Sequence, residues 1–272
     1  MDVLHRACPD CGTDNAAEKP SPYGNAEWPI KACRHCGFTY LEKAPVYDRL
    51  IDEFAWEKTS ATEAQRREEK EPLKQYLSDR LKAFRRNWMK RAKLDDLVRR
   101  HVRPGNVLDI GCAGGGVFGA LAACYVPHGV EISRTLAAQA DAAARLRGGY
   151  AIHDNALAGV GRFPPGTFSG ILMSAFLEHE MQPRPLLRAT FNALQAGGCV
   201  IIKVPNFGSL NRVVRGERWC GFRLPDHVNY FTPANLVRMC REEGFAIRQF
   251  GLLDRLPTSD NMWIVLEKPG AN

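Results

Sequence analysis

The stretch Asn106-Val-Leu-Asp-Ile-Gly-Cys-Ala-Gly-Gly-Gly116 constrains the fold more than any other part of the chain. Val107, Leu108 and Ile110 form a short apolar run of the kind that a parallel strand covered on both faces requires. Asp109 interrupts it just before a glycine loop. Glycine permits tight backbone turns and leaves no side chain between the backbone and a ligand. Val117 to Ala123 then reads as the first turns of a helix. A strand, a glycine loop and a helix in this order predict a nucleotide-type site at the carboxyl end of a parallel strand.

The segments that follow repeat the pattern. Pro127 to Ser133 reads as a second strand ending in Glu131, 22 residues after Asp109. An acid at that point can accept the hydroxyls of a ribose. Gly149 to Ile152 reads as a third strand leading to Asp154, which faces a ligand or caps a turn. Phe168 to Ser174 is a fourth strand and Cys199 to Val204 a fifth. Phe245–Leu253 and Asn261–Glu267 read as a closing antiparallel pair. Strands alternating with helical patterns predict right-handed crossovers and a parallel sheet. The nucleotide is narrowed by exclusion. No Gly-Lys-Ser/Thr is present, so a phosphate-cradling P-loop is ruled out. Ala113 stands where the dinucleotide fingerprint wants its second glycine, so that fingerprint is imperfect.

Asp109, Gly111, Ala113 and Gly115 resemble motif I of class I S-adenosylmethionine-dependent methyltransferases, with Ala113 in place of the middle glycine. Three further segments fit that family in order and spacing: Glu131 after the second strand, Leu177-Glu-His179 followed by Pro183 after the fourth, and Leu194-Gln-Ala-Gly-Gly198 before the fifth. In the last, Ala196 replaces the usual proline. The resemblance spans about residues 80–268 and is greatest to the ubiquinone-biosynthesis type of small-molecule methyltransferase. It implies a doubly wound, mostly parallel, seven-stranded α/β sheet of Rossmann-like type. It also implies that Asp109, Gly111, Ala113 and Gly115 cradle the methionine end of S-adenosylmethionine. Glu131 would hold the ribose, Ile132 and Asp154 would lie near the adenine, and Ser174 would border the site.

A second signal lies at the start of the chain. Cys8-Pro-Asp-Cys11-Gly12 and Cys33-Arg-His-Cys36-Gly37 are two Cys-x-x-Cys-Gly knuckles separated by 21 residues. Four thiolates at such spacing suit tetrahedral zinc in a ribbon. A rubredoxin-like iron site and a pair of disulfides are the alternatives. Disulfides belong to secreted chains, and residues 1–20 carry charges without the apolar core of a signal peptide. No apolar run is long enough for a membrane span. Cys112, Cys124, Cys199, Cys220 and Cys240 read as buried thiols, which together with the rest predicts a cytoplasmic protein.

The expected organisation is a zinc-ribbon module over residues 1–45, a helical linker or lid with basic amphipathic helices over 46–103, and a methyltransferase domain over 104–272. Ten Lys or Arg residues fall between Arg80 and Arg103, with Leu81, Phe84, Trp88, Leu94, Leu97 and Val98 at near-helical spacing. The net charge of +7 allows a nucleic-acid partner, but equally describes a solvated face or a site for an anionic acceptor.

The acceptor is expected beside Pro205–Leu210 and Trp219–Pro233, a long aromatic segment of little periodicity that reads as a binding loop or lid. Its His-x-x-Tyr-Phe-Thr-Pro phrase resembles a segment of the same methyltransferase group. Methyl transfer to a hydroxyl needs in-line positioning and removal of a proton, a task suited to histidine. His179, after the fourth strand, and His227, in the lid, are the candidate bases. The favoured reading is O-methylation of a small-molecule or sugar-derived acceptor. An RNA methyltransferase that grips phosphates with its ribbon, and a non-catalytic cofactor-binding partner protein, are the competing readings.

Overall fold

A computed structural model describes residues 3–45 and 94–270. The charged linker and most of the basic amphipathic stretch lie outside the described residues. Its last part is described: α1 (Leu94–His101) buries Leu97 and Val98 against the apolar face formed by Val107, Leu172, Ile201 and Val265.

Seven strands form one sheet: β5 (Gly105–Ile110), β6 (Tyr125–Glu131), β7 (Ala151–His153), β8 (Phe168–Ser174), β9 (Leu194–Pro205), β11 (Ala246–Gln249) and β12 (Asn261–Glu267). Their spatial order is β11-β12-β9-β8-β5-β6-β7, with β12 antiparallel to both neighbours and β5 to β9 parallel. The chain runs outward from β5 to β7, then returns to place β8 on the other side of β5. That reversal opens a crevice at the carboxyl ends of the central strands, the place where ligands bind in such sheets. The central strands are apolar throughout because both faces are covered. Helices α2 (Arg134–Arg145), α3 (Ala156–Gly161), α4 (Pro183–Ala193) and α6 (Pro233–Glu242) supply most of that cover. α6 begins as its sequence predicts: Thr232 and Asn235 form a reciprocal capping box, with Pro233 in the first turn.

Several expectations need correction. Val117–Ala123 is not a helix but a single 3-10 turn, Phe118–Ala120. Gly119 works against a helix here, since glycine in a helix interior costs about 1 kcal/mol. The second strand begins at Tyr125, and the third is Ala151–His153. Leu194–Gly198 is not a free turn but the start of β9, passing through a bulge opposite Phe168 and Gly170. Cys124 is exposed and Cys220 half-buried, whereas Cys112, Cys199 and Cys240 are buried thiols.

The amino-terminal segment forms β1 (Val3–His5) paired with β4 (Lys43–Pro45), and β2 (Ile30–Ala32) paired with β3 (Thr39–Leu41). The segment read as an irregular lid is more ordered than expected. It contains α5 (Leu210–Arg215), a 3-10 turn, and β10 (Asn229–Tyr230). β10 adds antiparallel to β3, so the lid supplies the third strand of the ribbon's sheet. Trp28, Ile30, Leu41 and Ala44 of the ribbon share one apolar cluster with Met181, Trp219, Val228 and Tyr230. Among the described residues, no helix is long and apolar enough to cross a membrane.

Candidate active site and cysteine cluster

The glycine loop leaves β5 at Gly111 and is pinned by backbone bonds from Gly111 and Cys112 to Val130 of β6. Gly111 (φ 73°) and Gly115 (φ 80°) lie in the left-handed region that favours glycine. They are needed for packing too. A Cβ on Gly111 would sit 2.3 Å from the Phe176 ring, and one on Gly115 would sit 2.8 Å from Phe118. These two glycines therefore admit aromatic rings, whereas Gly116 has open space on that side. Ala113 also has positive φ, 47°, unusual for a residue with a Cβ. Its amide donates to Glu131 Oε2 at 2.9 Å, and the Ser133 amide donates to Glu131 Oε1 at 2.9 Å. The carboxylate at the end of β6 thus braces the loop as well as facing the crevice. Asp109 is buried behind it. Burial, and next the charge of Glu131, push its carboxyl up to about 7.

The remaining cofactor candidates lie at the carboxyl ends of β6, β7 and β8. Ile132 accepts a bond from His153 Nε2 at 3.0 Å through its carbonyl. Asp154 follows β7, its amide bonded to the Glu131 carbonyl and its carboxylate paired with Arg162 at 3.5 Å. The helix cap there is Asn155, whose side chain accepts from the Ala158 amide. Ser174 ends β8 opposite Lys203.

β8 continues into a turn that carries the second half of the site. Ala175 has φ 57°, and its amide bonds to the Lys203 carbonyl. The following Phe176 reaches back over Gly111, joining this turn to the glycine loop. His179 Nδ1 lies 2.9 Å from the Asp226 carbonyl and 3.2 Å from its carboxylate. Arg223 pairs with the same carboxylate at 3.0 Å. His227 donates from Nδ1 to the Gly221 carbonyl at 2.8 Å. The two imidazoles meet edge to face with centroids 4.7 Å apart, so residues 48 positions apart in sequence share one site. Burial works against a charge on His179, but the bond to Asp226 and its charge outweigh it, leaving His179 above its ordinary value. Burial and the adjacent His179 push His227 down to about 3. Glu178 and Glu180 are buried, not solvated. Glu178 Oε2 has no hydrogen-bond partner among the described residues. Ligand atoms of Glu178, His179 and His227 lie within 4.8 Å of one another, which is also a donor set for a divalent cation.

The four ribbon cysteines converge. Sγ of Cys8 is 3.5 Å from that of Cys36, and Cys11 is 3.5 Å from Cys33. All four sulfurs lie within 4.8 Å of one another. These gaps are far longer than a disulfide's ~2.05 Å and near the ~3.8 Å edge of a tetrahedron with 2.3 Å Zn–S bonds. Gly12 (φ 75°) and Gly37 (φ 69°) turn each knuckle as its sequence predicts. The cluster is compatible with zinc. Asp10, inside the first knuckle, has a fully buried side chain and pairs with Arg184 of α4 and Arg238 of α6. Nothing in the spacing of the knuckles marks Asp10 or those arginines as partners.

The order and directions of the seven strands place the main domain in the Rossmann-like α/β class. Residues 76–249, well over half of the chain, match the family model described as a methyltransferase domain, and the chain belongs to that family. No curated protein matches it. A solved S-adenosylmethionine-dependent methyltransferase from Methanosarcina mazei aligns with a TM-score of 0.52 at 19% identity, covering 66% of this chain and 100% of that one. The 4+2 cyclase SpnF aligns at 0.50 and 18% identity, covering 65% and 81%. At such identity the likeness is one of fold. It agrees with a mixed seven-stranded sheet of the class I methyltransferase kind, in keeping with membership of the methyltransferase-domain family.

Proposed function

We propose that this enzyme methylates an oxygen of a small-molecule or sugar-derived acceptor, with His179 as general base and a structural zinc ion in the ribbon. The observation that carries the reading is the His179–His227 pair at the carboxyl edge of the sheet, linked to the glycine loop through Phe176. The cofactor supplies a methyl group made electrophilic by its sulfonium. The residues present fit it. A buried acid and a second acid at the next strand end suit a cationic nucleoside. The single 3-10 turn after the loop offers no full helix end for a pyrophosphate. Gly111, Ala113 and Gly115 would shape the methionine end, with Asp109 behind them. Glu131 retains free lone pairs for a ribose while bracing the loop. Ile132, Asp154 and Ser174 would border the remainder.

On the acceptor side, Asp226 orients His179 through Nδ1, which leaves Nε2 to take a proton. The Asp226 pairing raises the affinity of His179 for a proton, which favours proton uptake from an acceptor by the neutral ring. His227 stays neutral there and serves better to orient the acceptor than to deprotonate it. The RNA reading finds less support. The β3 edge of the ribbon is taken by the chain's own β10, and Asp10 by two arginines. A cleft of about 660 Å³ beside Cys11 and Cys36 sets Arg184, Arg188 and Arg238 against Asp10, Glu242 and Glu243, so its charges cancel. A non-catalytic role would leave the His179–Asp226 pairing without a purpose.

Calorimetry tests the cofactor half. S-adenosylmethionine should bind the wild type, and Glu131→Ala should weaken it at least tenfold, about 1.4 kcal/mol. Equal affinity for both proteins would overturn the pocket assignment. RNA binding that collapses steeply with added salt would revive the competing substrate.

A further inference from the structure

We propose that Arg6 is a positioning residue for the histidine pair, so that the ribbon sets the geometry of the acceptor site; this rests on reading that pair as the acceptor site. Arg6 follows β1 and is buried. Its guanidinium donates to four oxygens from three separate parts of the chain. They are the Leu41 carbonyl of the ribbon at 3.2 Å, the Met181 carbonyl of the turn after β8 at 3.0 Å, and in the lid the Val228 carbonyl at 3.0 Å and Asn229 Oδ1 at 3.1 Å. A planar fork of five donors can serve all four acceptors at once; an ammonium, with three, leaves at least one of them unmet.

The contacts fall just after both histidines: Met181 lies two residues beyond His179, and Val228 and Asn229 follow His227. Val228 and Asn229 come directly after His227, and their amides both donate to the Glu178 carbonyl, at 2.9 and 3.0 Å. Glu178 comes directly before His179. Asn229 Nδ2 completes the bridge, donating to the Leu177 and Glu180 carbonyls at 3.0 and 2.6 Å. Arg6 thus holds the Asn229 side chain by its oxygen while that side chain holds the turn by its nitrogen. Without Arg6, Asn229 loses a fixed orientation and the lid loses a charge-assisted tie to the turn. The 4.7 Å approach of the two rings depends on how these two stretches lie together. The purpose of fusing a ribbon to this fold follows: it carries the arginine that registers one half of the acceptor site against the other.

The experiment compares wild type with Arg6→Lys and Asn229→Ala, using histidine labelled with nitrogen-15 and amide hydrogen exchange. Both variants should keep cofactor affinity within about twofold, because the glycine loop lies elsewhere. Both should shift the ring signals of His179 and His227. Exchange of the Val228 and Asn229 amides should accelerate about tenfold or more. A purely structural arginine would lower the melting temperature and leave the ring signals in place. Unmoved ring signals and unchanged exchange in a folded variant would overturn the proposal. Should neither variant fold, the wild type decides: the Arg6 guanidinium protons must be protected, relative to their own intrinsic exchange rate, about as strongly as the two amides, and an unprotected guanidinium overturns the idea. Failure of the wild type to bind the cofactor would refute the methyltransferase site instead, a separate outcome.

Discussion

At the residue scale, Asp109 shows how a binding site works against the fold that carries it. It is a carboxyl in the middle of an apolar sheet, beside a second carboxylate, and both conditions penalise its charged form. Its folded value, about 7, lies above the ordinary value of 3.8. Below 3.8 both folded and unfolded forms are protonated, and nothing is lost. Between 3.8 and 7 the unfolded chain gives up the proton and the folded one keeps it, so stability falls as pH rises. Above 7 the cost is complete. Asp109→Asn should therefore be more stable than wild type at pH 8 by about 1 kcal/mol or more, with the difference vanishing near pH 3.5, as followed by urea denaturation. The same substitution should weaken binding of the cationic cofactor. An advantage over wild type no larger at pH 8 than at pH 3.5 would show that the acid is not strained. The motif made Asp109, Gly111 and Glu131 legible as a group. It did not disclose that Glu131 already bonds Ala113 and Ser133, because hydrogen bonds across a loop depend on where the loop closes.

At the scale of elements, the glycine loop and the turn after β8 act as one unit. Phe176 fills the space that glycine leaves at position 111, so each segment depends on the other for packing. Gly111→Ala introduces both a positive-φ penalty and an overlap with the ring, together about 2–4 kcal/mol. Adding Phe176→Ala should recover the overlap portion but not the backbone portion. Chemical denaturation of the two single variants and the double variant would measure this. Additive losses would mean that the ring and the loop are independent. Sequence reading placed the strands because buried parallel strands must be apolar, and it placed the start of α6 because Thr232-Pro233 satisfies the helix end locally. It went wrong at Val117–Ala123, where the apolar residues suggested a helix and Gly119 works against one. It also took the lid for irregular structure. β10 is two residues long, and its pairing partner lies in the ribbon, far away in sequence.

At the scale of the whole molecule, the ribbon and the main sheet are joined by shared cores. Phe38 stacks edge-on against Phe231 at 5.3 Å, Tyr23 stacks on Phe222 at 4.9 Å, and Asp10 is clamped between α4 and α6. A segment of this size buries little apolar surface of its own, so the zinc proposed for its four cysteines would supply much of its stability. Stripping the ion with a chelator at neutral pH should therefore lower the melting temperature. It should also speed hydrogen exchange through Val228–Phe231 while leaving cofactor binding nearly unchanged. A stripped protein with unaltered exchange in that stretch would mean that the cysteines do not support the lid.

The sequence by itself determined the order of strands and helices, the two acids at neighbouring strand ends and the four converging thiols. Each is a local matter: apolar runs, turn glycines and ligand spacing act within a few residues or one crossover. Only the tertiary structure brought His179 beside His227, set Asp226 behind one of them and passed Arg6 from the ribbon between the turn and the lid. Those contacts join segments far apart in the chain, and their geometry is set by how whole layers pack, which no short stretch of residues encodes.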